Sequence, residues 1–194
     1  MRRWLPPVKL GVICLLLLSA CVGLPGRTGE QDLSALLRSL KEAGQKGEVG
    51  SVEGNLYLIM PGPPTPLKDW PVTLIPLPPA LEATVAAAHA QFTRSGRMPL
   101  SAEALARARD SITTYPNEVA ALGYSELIRT VKTAAAEPKF SFQGIPHGRW
   151  LLLAELPSKI TVLLWAVPVT VTTGEVTWQT LNDGIIWLEG LRPR

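Results

Sequence analysis

The chain has 194 residues, 46% of them hydrophobic, with 18 Pro, 16 Gly and two Cys, which suits one domain of ~100–200 residues with short extensions. Of the 19 basic residues, Arg2, Arg3 and Lys9 fall in the first nine positions; the rest are balanced by the 16 acidic residues, the first of which is Glu30. A body without net charge gives no electrostatic reason for a nucleic-acid partner. Its apolar content argues against disorder, and two cysteines are too few for a disulfide scaffold or a Cys-rich zinc site.

Residues 1–20 run from basic (Arg2, Arg3, Lys9) through apolar (Leu10–Leu18) to small (Ser19, Ala20), the order of a secretory signal peptide. The apolar stretch is about half of the ~20 residues that a membrane-spanning helix needs. Leu18-Ser19-Ala20-Cys21 resembles the lipobox of bacterial lipoproteins. The resemblance implies that the Cys21 thiol takes a diacylglyceryl group, that residues 1–20 are cut away and that the new amine is acylated. The membrane is then a partner through Cys21. Two or more acyl chains, at ~0.8 kcal/mol per buried methylene, hold a protein there stably. Cys14 leaves with the leader, so no disulfide is expected within one mature chain. Val22 follows the cysteine where an Asp often signals inner-membrane retention. The resemblance therefore implies a cell-envelope protein facing the periplasm or exterior, at the outer membrane in a Gram-negative cell.

Val22–Gly29 is rich in Gly and Pro and reads as a tether. Leu33, Leu36, Leu37 and Leu40 then recur at i, i+3, i+4 and i+7, the stripe of a short amphipathic helix that Gly44 and Gly47 end. A polar face of mixed charge favours packing of that stripe on the domain over membrane-surface binding. The lipidated tether and helix thus occupy 21–47 and the main domain 48–190.

In that domain, 52–60 and 70–77 read as strands, the prolines of the second placing it at an edge or bulge. Residues 80–123 differ in kind. Leu81–Arg94 is Ala-rich and lacks Gly and Pro; Ser101 can cap a second helix from Ala102 to Thr114, with Glu103 in its first turn. Pro116 is expected to interrupt that helix, and Asn117–Leu122 to resume it, the whole forming a helical hairpin. Strand signals return at 127–133, 139–143, 149–156, 160–171 and 175–188, divided by turn residues.

Thr133, Phe140/Phe142, Gly144-Ile145-Pro146-His147-Gly148 and Trp150/Leu152/Ala154 together resemble the carboxypeptidase regulatory-like domain. Upstream, Val52-Glu53-Gly54 and Pro71–Pro76 resemble its opening strand pair. The resemblance implies a mainly β fold: a seven-stranded prealbumin-like (transthyretin-like) β-sandwich, here with an inserted helical hairpin at about 80–123. Glu137-Pro138 stands where that family has an Asp/Glu-Gly turn, so a hairpin there needs another turn type. Its motifs carry fold and no activity. In 149–156, Leu151 and Leu153 face away from Trp150, Leu152 and Ala154. Their apolarity predicts a covering layer, for which Leu105, Ile112 and Val119 are candidates, or else an exposed binding patch.

Chemistry-bearing residues are sparse. His89 sits mid-helix and reads as a surface or packing residue; His147 occupies the turn between Pro146 and Gly148 and is kept as a candidate binding residue. No P-loop, G-x-G-x-x-G or G-x-S-x-G occurs. No carboxylate pair stands out, and no metal or cofactor is expected. Asp183-Gly184 reads as a hairpin turn, not a calcium loop. Arg94, Arg97, Arg107 and Arg109 make a modest basic patch that reads as a solvated face. Of Trp70, Trp150, Trp165, Trp178 and Trp187, core packing accounts for most, while Trp178 and Trp187 are the candidates for a carbohydrate platform. The leading expectation is a non-catalytic, membrane-anchored structural or protein-interaction module with an envelope protein as partner and the helical hairpin as its contact surface. The alternative is a module binding glycan or peptidoglycan fragments through exposed Trp. Exposure of Trp178 and Trp187 discriminates between them.

Overall fold

The computed structural model describes residues 25–59, 63–94, 96, 98–182 and 188–191. Alternation of side chains along extended segments builds two sheets that share one core. The first contains β1 (Val49–Leu58), β2 (Thr65–Pro66), β5 (Lys139–Pro146) and β8 (Val176–Leu181). β1 runs antiparallel to β2 and β5 and parallel to β8. The second has the order β4 (Arg129–Lys132), β3 (Pro71–Pro76), β6 (Gly148–Pro157), β7 (Thr161–Val171), β9 (Leu188–Leu191), antiparallel throughout. The protein is mainly β, with nine strands where the resemblance implies seven, and three α-helices, among the described residues.

The second sheet is apolar on both faces. In β6, Trp150, Leu152 and Ala154 are buried, but so is Leu151, and Leu153 is half-buried; in β7 every residue from Val162 to Ala166 is buried. The helical layer anticipated from Leu151 and Leu153 supplies the cover. α2 (Pro79–Arg94) buries Leu81, Val85 and Phe92, and α3 (Ala102–Ala121) buries Leu105, Ile112, Tyr115 and Val119. The guanidinium of Arg109 on α3 forks onto the Glu155 carboxylate of β6, Nε to Oε2 at 3.1 Å and Nη2 to Oε1 at 3.0 Å. Leu105 seats on Gly190 of β9, where a Cβ would come within 2.6 Å of it. The segment between the helices also closes the edge of β9: the Leu100 N–H donates to the Glu189 carbonyl, and the Leu191 N–H donates to the Leu100 carbonyl.

α1 (Pro25–Gln45) turns Leu33, Leu37, Leu40 and Ala43 into the core, so its stripe packs on the domain. Gly148, at φ 150°, leaves room for the Leu40 side chain, which a Cβ would meet at 2.6 Å. Thr133 is a latch between strands: its hydroxyl donates to the Leu67 carbonyl at 2.6 Å and accepts from the Trp70 N–H at 2.9 Å.

Five expectations need correction. β3, expected at an edge or bulge for its prolines, lies between β4 and β6, with Pro71 and Pro76 at its two ends. Residues 25–29, read as tether, belong to α1. α3 continues through Pro116 without a break, because Ile112, Tyr115 and Val119 on both sides of it are held in the core. The strands on either side of Glu137-Pro138 form no hairpin: β4 pairs with β3 and β5 with β1, so the chain crosses between sheets there. The region 175–188, read as one strand, yields β8 in the first sheet, and β9 at 188–191 pairs with β7 in the second.

Candidate functional site

The outer face of the first sheet carries no helix-covering residues comparable to Leu151. Burial alternates from Val52 onward: Val52 and Leu56 of β1 and Phe140 and Phe142 of β5 point inward. The two phenyl rings meet edge to face, 6.0 Å between centroids. The opposite parity sends Glu53, Asn55, Ser141, Gln143, Val176 and Trp178 outward. Register then sets their neighbours, for Glu53 is paired with Ser141 on one side and with Trp178 on the other.

Trp178 is 53% exposed and Val176, two residues earlier on the same face, is 59% exposed. Beside them the Glu53 carboxylate accepts from Gln143 Nε2 at 3.1 Å and from the Ser141 hydroxyl at 3.4 Å, and Gln143 Nε2 also reaches Ser141 Oγ at 2.7 Å. In the next row Asn55 Oδ1 is shielded from water and has no hydrogen-bond partner among the described residues. The result is a flat indole bordered by a carboxylate, a hydroxyl and two amides, a surface able to stack on an apolar ring face while exchanging hydrogen bonds with polar groups around it. The parallel pairing that creates it depends on Gly54: a Cβ there would lie 1.7 Å from the Gln179 carbonyl oxygen and 2.6 Å from Phe140 Cζ.

The other tryptophans among the described residues are packing residues with their N–H groups satisfied. Trp150 donates to the Pro146 carbonyl at 2.9 Å, Trp165 to that of Asn182 at 2.8 Å and Trp70 to that of Glu155 at 2.8 Å. Trp187, Cys21 and the Asp183-Gly184 turn lie outside the described residues. His147 is exposed in the β5–β6 turn, its backbone N–H donating to the Glu48 carbonyl. Structure does not bring it to Trp178: Pro146 pairs with Val49, and Trp178 pairs with Glu53, four residues or about 13 Å along β1. Of the basic patch, Arg109 pairs with Glu155, Arg107 with Glu103, and Arg94 Nε donates to the Ala90 carbonyl, while Arg97 lies outside the described residues. Among the described residues no group of three His, Cys, Asp or Glu could hold a metal ion.

Sequence reasoning missed Glu53, Asn55, Ser141 and Gln143. Their outward parity was available from the alternation of β1 and β5. What was not available was the non-local pairing that puts both strands beside Trp178.

No protein-family model matches the chain, and no curated protein matches it. Among solved structures it is similar to a candidate carbohydrate-binding protein from Pseudomonas aeruginosa, at 17% identity over 75% of this chain and 96% of that one, TM-score 0.42. It is also similar to the minor pilin of Streptococcus agalactiae, at 11% identity over 76% of this chain and 46% of that one, TM-score 0.38. A third is the pilus backbone protein of Streptococcus pneumoniae, at 8% identity over 69% of this chain and 40% of that one, TM-score 0.32. The chain spans less than half the length of either pilus protein. Likeness of this order carries no functional argument.

Proposed function

We propose that this chain is an envelope lipoprotein, anchored through Cys21, whose open sheet face binds carbohydrate chains of the cell envelope. The observation that carries the binding half is Trp178, exposed beside the hydrogen-bonding side chains of Glu53, Ser141 and Gln143. A pyranose stacks its C–H face on an indole, and its hydroxyls then fall among Glu53, Asn55, Ser141 and Gln143. The hairpin, by contrast, spends its apolar stripe on the core, which weakens its case as the contact surface. The anchoring half is supported by Leu18-Ser19-Ala20-Cys21 directly after an apolar stretch. Among the described residues no helix is long and apolar enough to cross a membrane. The fold type is proposed to be prealbumin-like, on the Phe140-x-Phe142 strand, the turn at Gly144–Gly148 and the Trp150-x-Leu152-x-Ala154 strand.

The test is titration of the protein with soluble peptidoglycan fragments and envelope polysaccharides, read by calorimetry. Trp178→Ala should weaken binding about tenfold, which is about 1.4 kcal/mol. Binding indifferent to Trp178→Ala, or no binding at all, would sink the carbohydrate reading. A protein-interaction module remains the second reading, favoured by the exposed Val176 next to Trp178, an apolar pair suited to a partner's surface. A crosslinked envelope protein lost in Trp178→Ala would move the conclusion there. For the anchor, Cys21→Ala should leave an uncut precursor without lipid.

A further inference from the structure

A groove of about 570 Å³ runs between the three helices. That volume lies within the ~300–1,000 Å³ typical of ligand pockets. Its wall is apolar, with Leu33 from α1, Leu81 from α2 and Leu122 just past α3. Polar groups in the lining are few, and two are already engaged within their own helices. The Thr84 hydroxyl donates to the Ala80 carbonyl and the Ser111 hydroxyl to that of Arg107. Tyr115 differs. It lines the groove, is only 5% exposed, and its hydroxyl finds no hydrogen-bond partner among the described residues. A buried donor without an acceptor costs ~1–3 kcal/mol, which a ligand acceptor would relieve. Burial first, then the neighbouring Glu118 carboxylate, pushes the phenol well above its ordinary pKa, so it remains a donor across the physiological range. Glu118 itself lines the groove and disfavours an anionic head such as a free fatty-acid carboxylate.

The occupant that fits is a long apolar chain ending in an uncharged carbonyl, an ester or an amide. The chain's own topology supplies one. Leu33 lies eight residues into α1 from Pro25, about 12 Å of helix at ~1.5 Å per residue. Cys21 stands four residues before Pro25, within at most about 14 Å. We propose that the groove shelters one acyl chain of the lipid carried on Cys21, its ester or amide carbonyl accepting from the Tyr115 hydroxyl. The inference rests on the lipid-anchor reading. A lipid chain gains the same ~0.8 kcal/mol per buried methylene from a protein groove as from a bilayer. The groove therefore stabilises the protein when a chain is not in the membrane, as during aqueous transit from the site of synthesis.

Growth of cells on a diazirine-bearing fatty acid puts a photoreactive chain on Cys21. The protein is irradiated in intact envelopes and again after exchange out of detergent, and its peptides are mapped by mass. The expected result, in at least one of the two states, is a crosslink joining the Cys21 peptide to peptides of α2 or α3. Ser111→Trp, which fills the groove, should reduce it at least fivefold, and Tyr115→Phe, which keeps the ring, about threefold. A Cys21 peptide that carries lipid but never crosslinks to α2 or α3 overturns this inference alone. Groove peptides labelled equally in Cys21→Ala overturn it in favour of a free neutral lipid. A Cys21 peptide without lipid mass overturns the anchor reading together with it.

Discussion

The two sheets of this protein are made of similar strands and have opposite fates. In β6 and β7 both side-chain rows are apolar, and Leu151 is as buried as Trp150 on the other face. In β1 and β5 the inward row is apolar, and the outward row across β1, β5 and β8 holds Glu53, Asn55, Ser141, Gln143, Val176 and Trp178. A sheet that is apolar on both faces must be covered twice, and here α2 and α3 provide the second cover. A sheet that alternates needs one cover only, and its other face is left for solvent or a ligand. The contrast teaches that Trp178 is exceptional by position, since an indole on the second sheet would have been one more core residue.

Removing the cover is the most drastic way to break the comparison. Deletion of residues 81–122 with a short Gly/Ser bridge should expose Leu151 and Leu153 and drive aggregation on size-exclusion chromatography. A soluble monomer would show that the second sheet does not need its helical layer. Leu151→Ala, which leaves a cavity under the same layer, should cost ~2–5 kcal/mol by urea unfolding. Gly54→Ala probes the first sheet at the point where β1 and β8 run together. With a Cβ 1.7 Å from the Gln179 carbonyl oxygen, strain of ~1–3 kcal/mol is expected. It should also move Trp178 away from Glu53, seen as a change in indole fluorescence. Trp178→Ala sits at the small end, within about 0.5 kcal/mol of wild-type stability, while weakening carbohydrate binding about tenfold. A large stability loss from that substitution would mean that the face is covered after all.

Much of the architecture was legible in the residues. The cap at Ser101 is present, its hydroxyl accepting from the Ala104 N–H at 3.2 Å. The stripe Leu105, Ile112, Val119 is buried as its spacing requires, and of the two outcomes open for the apolar Leu151, a covering layer or an exposed patch, the structure shows the first. The failures share one cause. Pro116 is a poor helix residue judged locally, yet the packed residues around it carry α3 through. Residues 175–188 carry a turn signal at Asp183-Gly184, but nothing local says that β8 joins β1 while β9 joins β7.

Periodicity therefore determined which residues of each segment face inward, because side-chain direction follows from backbone geometry alone. It also showed that Leu151 and Leu153 put apolar side chains on a second face of their strand, without saying whether a covering layer or a partner would meet them. Which strand lies beside which was decided only by tertiary structure, since an inward-facing valine is equally satisfied under several partners. That choice made the site. Glu53 is 125 residues from Trp178 in the chain and beside it in the sheet, and only the parallel pairing of β1 with β8 brings the carboxylate to the indole.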